Sequence, residues 1–340
     1  MSEDLHTVAL HDWLRAHVPD AGALTGHARF EGGQSNPTYR IDTTNGSYVL
    51  RRKPVGALLP SAHQVDREYR VIAALHPTGF PVPRPFGLCT DDAVIGSAFY
   101  VMEMVEGRTI WDGTMPDLSP SERRAHYLAM IDTLADLHNT DHVAIGLEDY
   151  GRPGNYFERQ VERWTRQYRG AETEPMPEME RLIAWLPQTV PPQTRTAIVH
   201  GDYRVDNLRF APGTEPRVAA VLDWELSTLG DPIADLTYYL MSWVTEPEGR
   251  SGLLGRTGPA SGIPELEEML VRYCARTGRD APIALDWYFA FNLFRLASIV
   301  QGIKKRIVLG TAANPRAQET AARVPALVAA AWHFAQRAGA

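Results

Sequence analysis

In the first hundred positions, short runs rich in β-branched and aromatic residues alternate with Gly, Asn and Pro, a pattern that predicts strands joined by turns. The expected strands cover 27–30, 38–42, 47–52 and 98–105. An amphipathic helix over 7–18 precedes them. A second over 61–75 stops at the Pro-rich stretch 77–85, because proline lacks an N–H and disfavours helix in the residue before it. Beyond Gly107 the apolar positions recur at helical spacing: Leu128, Ile131, Ala135 and His138 follow the capping candidates Ser119 and Ser121. Further helices are expected over 156–169, 177–186, 232–244, 264–277, 283–307 and 315–337, with Pro/Gly-rich connections at 187–193 and 246–263. Three short strands, 196–199, 207–210 and 217–222, interrupt this helical half. The pattern predicts an α+β architecture of two lobes, mostly β over 1–104 and mostly helical over 105–340. No internal repeat is visible.

Composition changes this picture mainly by exclusion. With 340 residues, 44% hydrophobic and 22% charged, the chain can bury a substantial core and has no disordered or collagen-like signature. A net charge of -7 and the absence of a dense Lys/Arg stripe argue against a nucleic-acid partner; Lys304-Lys305-Arg306 is too short to alter that. Two cysteines, Cys89 and Cys274, rule out a disulfide scaffold or zinc knuckle. The acidic start Met1-Ser2-Glu3-Asp4 and the lack of an 18-residue apolar run give the expectation of a cytoplasmic protein with no membrane partner.

The segment richest in chemistry is Val199-His200-Gly201-Asp202-Tyr203-Arg204-Val205-Asp206-Asn207-Leu208, followed by Val221-Leu222-Asp223-Trp224-Glu225. Asp202 lies on a loop leaving a strand, Asn207 starts the next strand, and Asp223 ends a strand that pairs with it as a hairpin. Their oxygens can converge on one point. Magnesium takes hard oxygen ligands, one or two protein carboxylates plus phosphates and water, which suits Asn207 and Asp223. Asp202 can then orient an acceptor hydroxyl and take its proton as a phosphoryl group transfers. Taken singly, Asp202 and Asp206 also suit Asx turns, and Asp223 a strand end.

These residues resemble the aminoglycoside phosphotransferase family, small-molecule kinases with the two-lobed protein-kinase-like fold, whose H-G-D-x4-N and I-D-[WF]-E segments match His200-Gly201-Asp202 with Asn207 and Leu222-Asp223-Trp224-Glu225. The match continues through Gly230-Asp231-Pro232 and Ala234-Asp235-Leu236. The resemblance implies Asp202 as catalytic base, Asn207 and Asp223 as Mg2+ ligands, and ATP or GTP as phosphoryl donor. It implies a nucleotide-binding lobe over 1–104 and a catalytic and acceptor-binding lobe over 105–340. Glu31-Gly32-Gly33-Gln34-Ser35-Asn36 then becomes a phosphate cradle, where glycines let backbone N–H groups approach, or else an ordinary hairpin turn. Arg51 stands where the family usually has lysine. It keeps the charge and can grip phosphate bidentately, with Glu68 as its helix partner, and strand alternation sends Arg52 to the opposite face. In the segment joining the lobes, Tyr100 to Gly107, adenine is expected at the Glu103 carbonyl and Val105 amide.

The remaining polar residues have plainer expected roles. His138 is a core histidine, His200 braces its loop, Asp231 and Asp235 cap the helix starting near Pro232, and Arg204 either reaches a transferring phosphate or is exposed. Asp223 does not run into the Phe-Gly and long activation segment of protein kinases, so the acceptor is expected to be a small hydroxylated molecule. The aromatic helix from Ala284 to Arg295, followed by basic residues, does not suit a cationic antibiotic. Leu50 to Pro54, Leu59 to His63, Phe294 to Ala297 and Gln301-Gly302 resemble the kinase-like domains fused to some acyl-CoA dehydrogenases, which implies a hydroxy acid or hydroxyacyl-CoA acceptor. Arg295 and Arg306, eleven positions apart on one helix face, are candidate anion contacts. The competing functions are a nucleotide-binding pseudokinase, favoured by the missing lysine, and an aminoglycoside kinase. Hydrolase and dehydrogenase motifs are absent. Oligomeric state is not legible.

Overall fold

Period-two burial organises the small lobe. In this computed structural model, which describes residues 5, 7–30, 36–54, 64–213, 216–247, 252–281, 284–311 and 317–340, helix α1 (Thr7–His17) leads into strands β1 (Leu24–Arg29), β2 (Thr38–Thr43) and β3 (Gly46–Arg52). Helix α2 (Val65–Leu75), strand β4 (Pro85–Cys89), the short α3 (Asp92–Ile95) and β5 (Phe99–Glu103) complete the lobe. The sheet is antiparallel in the order β1-β2-β3-β5-β4. Alternate residues of β5 separate two cores. Phe99 and Val101 join Leu50, Ile41 and the α1 residues Leu10 and Trp13 on the outer face, while Tyr100 and Met102 face α2 and the core of the large lobe.

After Glu103 the chain leaves the five-stranded sheet. Strand β6 (Arg108–Thr109) already belongs to a three-stranded sheet, β6-β8-β9, made with β8 (Leu208–Phe210) and β9 (Val218–Val221). Helix α4 (Pro120–Asn139) starts in a complete capping box: Ser119 Oγ accepts from the Glu122 amide, and the Glu122 carboxylate accepts from the Ser119 amide. After α5 (Tyr156–Ala171) and α6 (Pro177–Trp185), strand β7 (Ala197–Val199) pairs with β10 (Thr228–Gly230). The rest is helical: α7 (Ile233–Leu240), α8 (Leu266–Thr277), α9 (Leu285–Val308), α10 (Ala317–Ala322) and α11 (Val324–Arg337). The two-lobed α+β architecture read from the pattern is observed, and with it the protein-kinase-like fold that the resemblance implies.

Three expectations need correction, and a fourth, the start of the helix expected from residue 61, falls outside the described residues. The helix expected over 315–337 is two helices, broken at Arg323 because Pro325 must sit in the first turn of α11. The helix expected over 232–244 gives way to a 3₁₀ turn, Met241–Val244, after Leu240. The helix expected from residue 61 is described only from Val65, since 55–63 lie outside the described residues. Strands β4, β6 and β10 were not expected; β4 begins on the proline that had read as a terminator. No helix among the described residues is long and apolar enough to cross a membrane.

Candidate active site

The loop after β7 is held almost entirely through its backbone. Gly201 adopts φ +84°, and a Cβ there would lie 2.7 Å from the Leu226 carbonyl oxygen, so only glycine fits. The fully buried Asp235 carboxylate accepts from the amides of His200 (2.5 Å) and Gly201 (2.8 Å). His200 Nε2–H donates to the Leu222 carbonyl (2.9 Å) and its Nδ1 accepts from the Asp202 amide (3.1 Å), so one neutral tautomer satisfies both bonds. His200 therefore braces the loop as expected. Asp231 caps α7 by accepting from the Ile233 amide (3.0 Å). Asp235 does not cap that helix; it points from the first turn of α7 back into the loop.

Asp202 lies at the end of this braced segment. Its Oδ1 accepts from the Tyr238 hydroxyl (2.6 Å) and its Oδ2 from Asn207 Nδ2 (3.0 Å), which also donates to the Asp202 carbonyl (2.8 Å). Burial, together with Asp202, pushes the Tyr238 hydroxyl above its ordinary range and keeps it a donor. Arg204 pairs with Asp206 (2.8 Å) and lies 3.5 Å from Asp202. The β8–β9 hairpin sets Asn207 opposite Leu222, whose amide donates to the Asn207 carbonyl (2.8 Å), and Asp223 follows in the next position. Asp223 takes a left-handed conformation, φ 65°, a strained choice for a non-glycine residue that is common at functional sites. Trp224 anchors the turn, 1% exposed, stacked at an angle on His200 and donating to the Val221 carbonyl.

The small lobe supplies a cation to the same place. Arg51, on β3, has Nε 2.8 Å from Glu68 Oε2 and donates from Nη2 to Asp223 Oδ1 (2.7 Å), with Glu225 at 3.5 Å. Burial opposes its charge, but Glu68, Tyr100, Asp223 and Glu225 outweigh it and hold the guanidinium protonated beyond its ordinary value. Glu68 is buried and also accepts from Asn36 Nδ2 (2.6 Å) and the Tyr100 hydroxyl (3.1 Å). Arg52 points the other way and donates to Ser97 Oγ (3.0 Å). Gly32, Gly33, Gln34 and Ser35 lie outside the described residues. Glu103 ends β5, and the Val105 carbonyl accepts from Arg209 (3.2 Å).

Arg295 is buried, and its Nη2 donates to the Gly201 carbonyl (2.5 Å). Arg306 is exposed and lies about 16 Å farther along α9, so the two form no joint site. His138 is a core histidine bonded to Tyr273 and Asp235, with burial lowering its proton affinity. Tyr238 was missed by sequence reasoning, while Asp235, read as a helix cap, Asn36, read within the phosphate cradle, and Tyr100, read within the segment joining the lobes, make contacts that reading did not foresee. The signal at Asp235 was a carboxylate in the first turn of a helix that is otherwise largely apolar.

Burial raises the Glu68 carboxyl to about 7, with Arg51 opposing and Asp223 and Glu225 adding to the rise. Its folded value lies above the ordinary 4.5, so the native state binds this proton more tightly. The resulting stabilisation is complete below 4.5 and is lost as pH rises through 7. The melting temperature of the wild type relative to Glu68→Gln is therefore expected to fall as pH increases across that window, measured by calorimetry at half-unit steps. A relative rise would contradict the assignment.

Residues 26–276 match the phosphotransferase enzyme family. Acyl-CoA dehydrogenase family member 10 of Mus musculus is 44% identical over 313 residues, which cover 92% of this chain and 29% of that protein, so the chain spans less than a third of that relative. A crystal structure from Ralstonia eutropha, assigned provisionally to the aminoglycoside phosphotransferases, is 47% identical, with a TM-score of 0.90 and coverage of 98% of this chain and 99% of that one. A thermostable mutant of aminoglycoside phosphotransferase APH(4)-Ia, in ternary complex with AMP-PNP and hygromycin B, shares the fold at 14% identity and a TM-score of 0.62, covering 98% and 99%. With three quarters of its length inside the match, the chain belongs to the phosphotransferase enzyme family.

Proposed function

We propose that the protein transfers the γ-phosphoryl group of ATP or GTP, with Mg2+, to a hydroxyl of a small acceptor, a hydroxy acid or hydroxyacyl-CoA. The observation that carries this reading is the Asp202 carboxylate, fixed by Tyr238 and Asn207 on a loop whose backbone is braced by Asp235 and His200. A carboxylate has about four lone-pair sites, and these two bonds leave room for an acceptor hydroxyl. Asp202 is the candidate base that takes that proton. Asn207 and Asp223 are the candidate metal ligands. They offer the hard oxygens Mg2+ requires, the Asn207 amide nitrogen is already committed to Asp202, and Asp223 is one-third exposed. A bound Mg2+ would supply charge neutralisation on the nucleotide phosphates.

Arg51, oriented by Glu68, is the phosphate-contacting cation, with Gly32, Gly33, Gln34 and Ser35 as the phosphate cradle. The Glu103 carbonyl and Val105 amide are the adenine contacts. Arg204 reaches toward the transferring group. The acyl-type acceptor is supported by the name of the mouse relative, and the likeness to APH(4)-Ia supports the fold alone.

The test is a screen for phosphorylated products from Mg2+ and ATP over hydroxy acids, their CoA thioesters, amino alcohols and aminoglycosides. A phosphorylated hydroxy acid or thioester is the expected result, and phosphorylation of aminoglycosides alone would overturn the acceptor assignment. Asp223→Ala is expected to abolish the Mg2+-dependent part of ATP affinity, at least tenfold by calorimetry with and without EDTA, while metal-independent binding persists. Unchanged Mg2+ dependence would remove Asp223 from the metal site.

A further inference from the structure

Among the described residues, two arginines that share the Trp164 ring have no carboxylate partner of the kind the other site arginines have. Arg295, 7% exposed, holds the Gly201 carbonyl, one residue before Asp202. Its guanidinium carbon lies 5.0 Å from the ring of Tyr238, whose hydroxyl holds Asp202, and 5.5 Å from the ring of Trp164. Arg163, on α5, has its guanidinium carbon 5.2 Å from the same Trp164 ring. Two cations thus flank one indole. Arg51 and Arg204 are each paired with carboxylates. Among the described residues, by contrast, no ion pair joins Arg163 or Arg295 to a carboxylate, and Arg295 Nε is buried without a hydrogen-bond partner.

Cation–π contacts of this kind offset only part of the cost of desolvating a guanidinium, and two like charges close together add to that cost. Arg163 is exposed as a residue, yet partial burial of its guanidinium and then the charge of Arg295 lower its proton affinity. An anion would relieve both penalties. Arg295 is separated from Asp202 by one tyrosine ring, so an anion here and a hydroxyl at Asp202 can belong to one small molecule.

We infer that Arg163, backed by Arg295 and Trp164, forms a subsite for an oxyanion carried by the acceptor. This rests on the phosphotransfer reading above and deepens it. The oxyanion is the carboxylate of a free hydroxy acid or a phosphate of a CoA thioester. Arg163 is the accessible contact. Arg295 is a positioning residue, because its Nη2 holds the Gly201 carbonyl and its guanidinium is enclosed between the Tyr238 and Trp164 rings.

The test is calorimetric binding to the whole chain with saturating AMP-PNP and Mg2+, where no turnover intervenes. The probes are 3- to 5-hydroxy acids of four to eight carbons, their neutral amides, their CoA thioesters, and N-acetylcysteamine thioesters, which lack the phosphates. The expected result is an anionic probe that binds at least tenfold tighter than its neutral counterpart. Arg163→Ala should erase that preference and Arg163→Lys restore most of it, with unchanged AMP-PNP affinity and melting temperature. Loss on the free acids identifies a carboxylate, and loss on the CoA thioesters alone identifies the phosphates. Equal binding of charged and neutral probes, no binding of any anionic probe, or an Arg163→Ala variant that keeps the preference would overturn the subsite. Product formation with ATP and Mg2+ separates the two hypotheses: a phosphorylated acceptor together with equal binding of charged and neutral probes overturns the subsite alone, whereas no phosphorylated product from any acceptor overturns the phosphotransfer reading.

Discussion

Replacing Asp202 with Ala is expected to lower kcat by about 10²- to 10⁴-fold, roughly 3–5 kcal/mol of barrier, and to leave ATP affinity within about twofold. The size follows from the role proposed for the carboxylate, which is to accept a proton only as the acceptor oxygen becomes a nucleophile. The selectivity follows from geometry. The candidate nucleotide contacts on the small lobe, Arg51 and Glu68, form their own buried network with Asn36 and Tyr100, and none of these bonds involves Asp202. Asp202→Asn keeps the shape and the oxygen facing Tyr238 but replaces the other oxygen with an amide nitrogen opposite Asn207 Nδ2, so its loss should be as large. The measurement is kcat on the best acceptor, with ATP affinity from calorimetry. A loss below tenfold, or a parallel loss of ATP binding, would contradict the assignment of Asp202 as base.

Much of the fold was legible because its elements are set by local rules. Three small-lobe strands, 38–42, 47–52 and 98–105, lie within two residues of the observed β2, β3 and β5, since alternation and turn residues act over a few positions. Ser119 as a cap was legible for the same reason. The misses share a different cause. Strand β10 is three residues long and exists only because β7, some thirty positions earlier, pairs with it. Strand β4 begins at Pro85, at the sheet edge beside β5, where a missing N–H costs no ladder bond.

The site divides along the same line. Asp202, Asn207 and Asp223 stood out because residue type and spacing already implied shared chemistry. Arg295 was read as a candidate anion contact on the face of α9, and its packing between Trp164 and Tyr238 was not foreseen. Residue type identifies a cation, but the aromatic partners that enclose it come from α5 and α7, which no local pattern on α9 reports.

Asp235 shows what such a hidden partner contributes, and Asp235→Ala is expected to be the most destabilising single change in the site. Burial alone would raise this carboxyl, but His138, His200 and the Gly201 amide outweigh it and hold it below the usual carboxylate range. The charge is therefore retained inside the core because several donors converge on it. Alanine would leave the His200 and Gly201 amides without their acceptor, and His138 Nε2–H without its own. Each buried group left unsatisfied costs about 1–3 kcal/mol, so a total of roughly 3–5 kcal/mol is expected after relaxation. For 340 residues that corresponds to a fall in melting temperature of roughly 4–7 °C. Asparagine should fall between the two, since its oxygen can serve one amide while its NH2 opposes the other. Turnover should fall as well, at a temperature where the variant remains folded, because Gly201 directly precedes Asp202 and its orientation is set by this carboxylate. Differential scanning calorimetry and kcat at 20 °C check both parts. A melting temperature within about 2 °C of wild type would show that the loop is braced by other means.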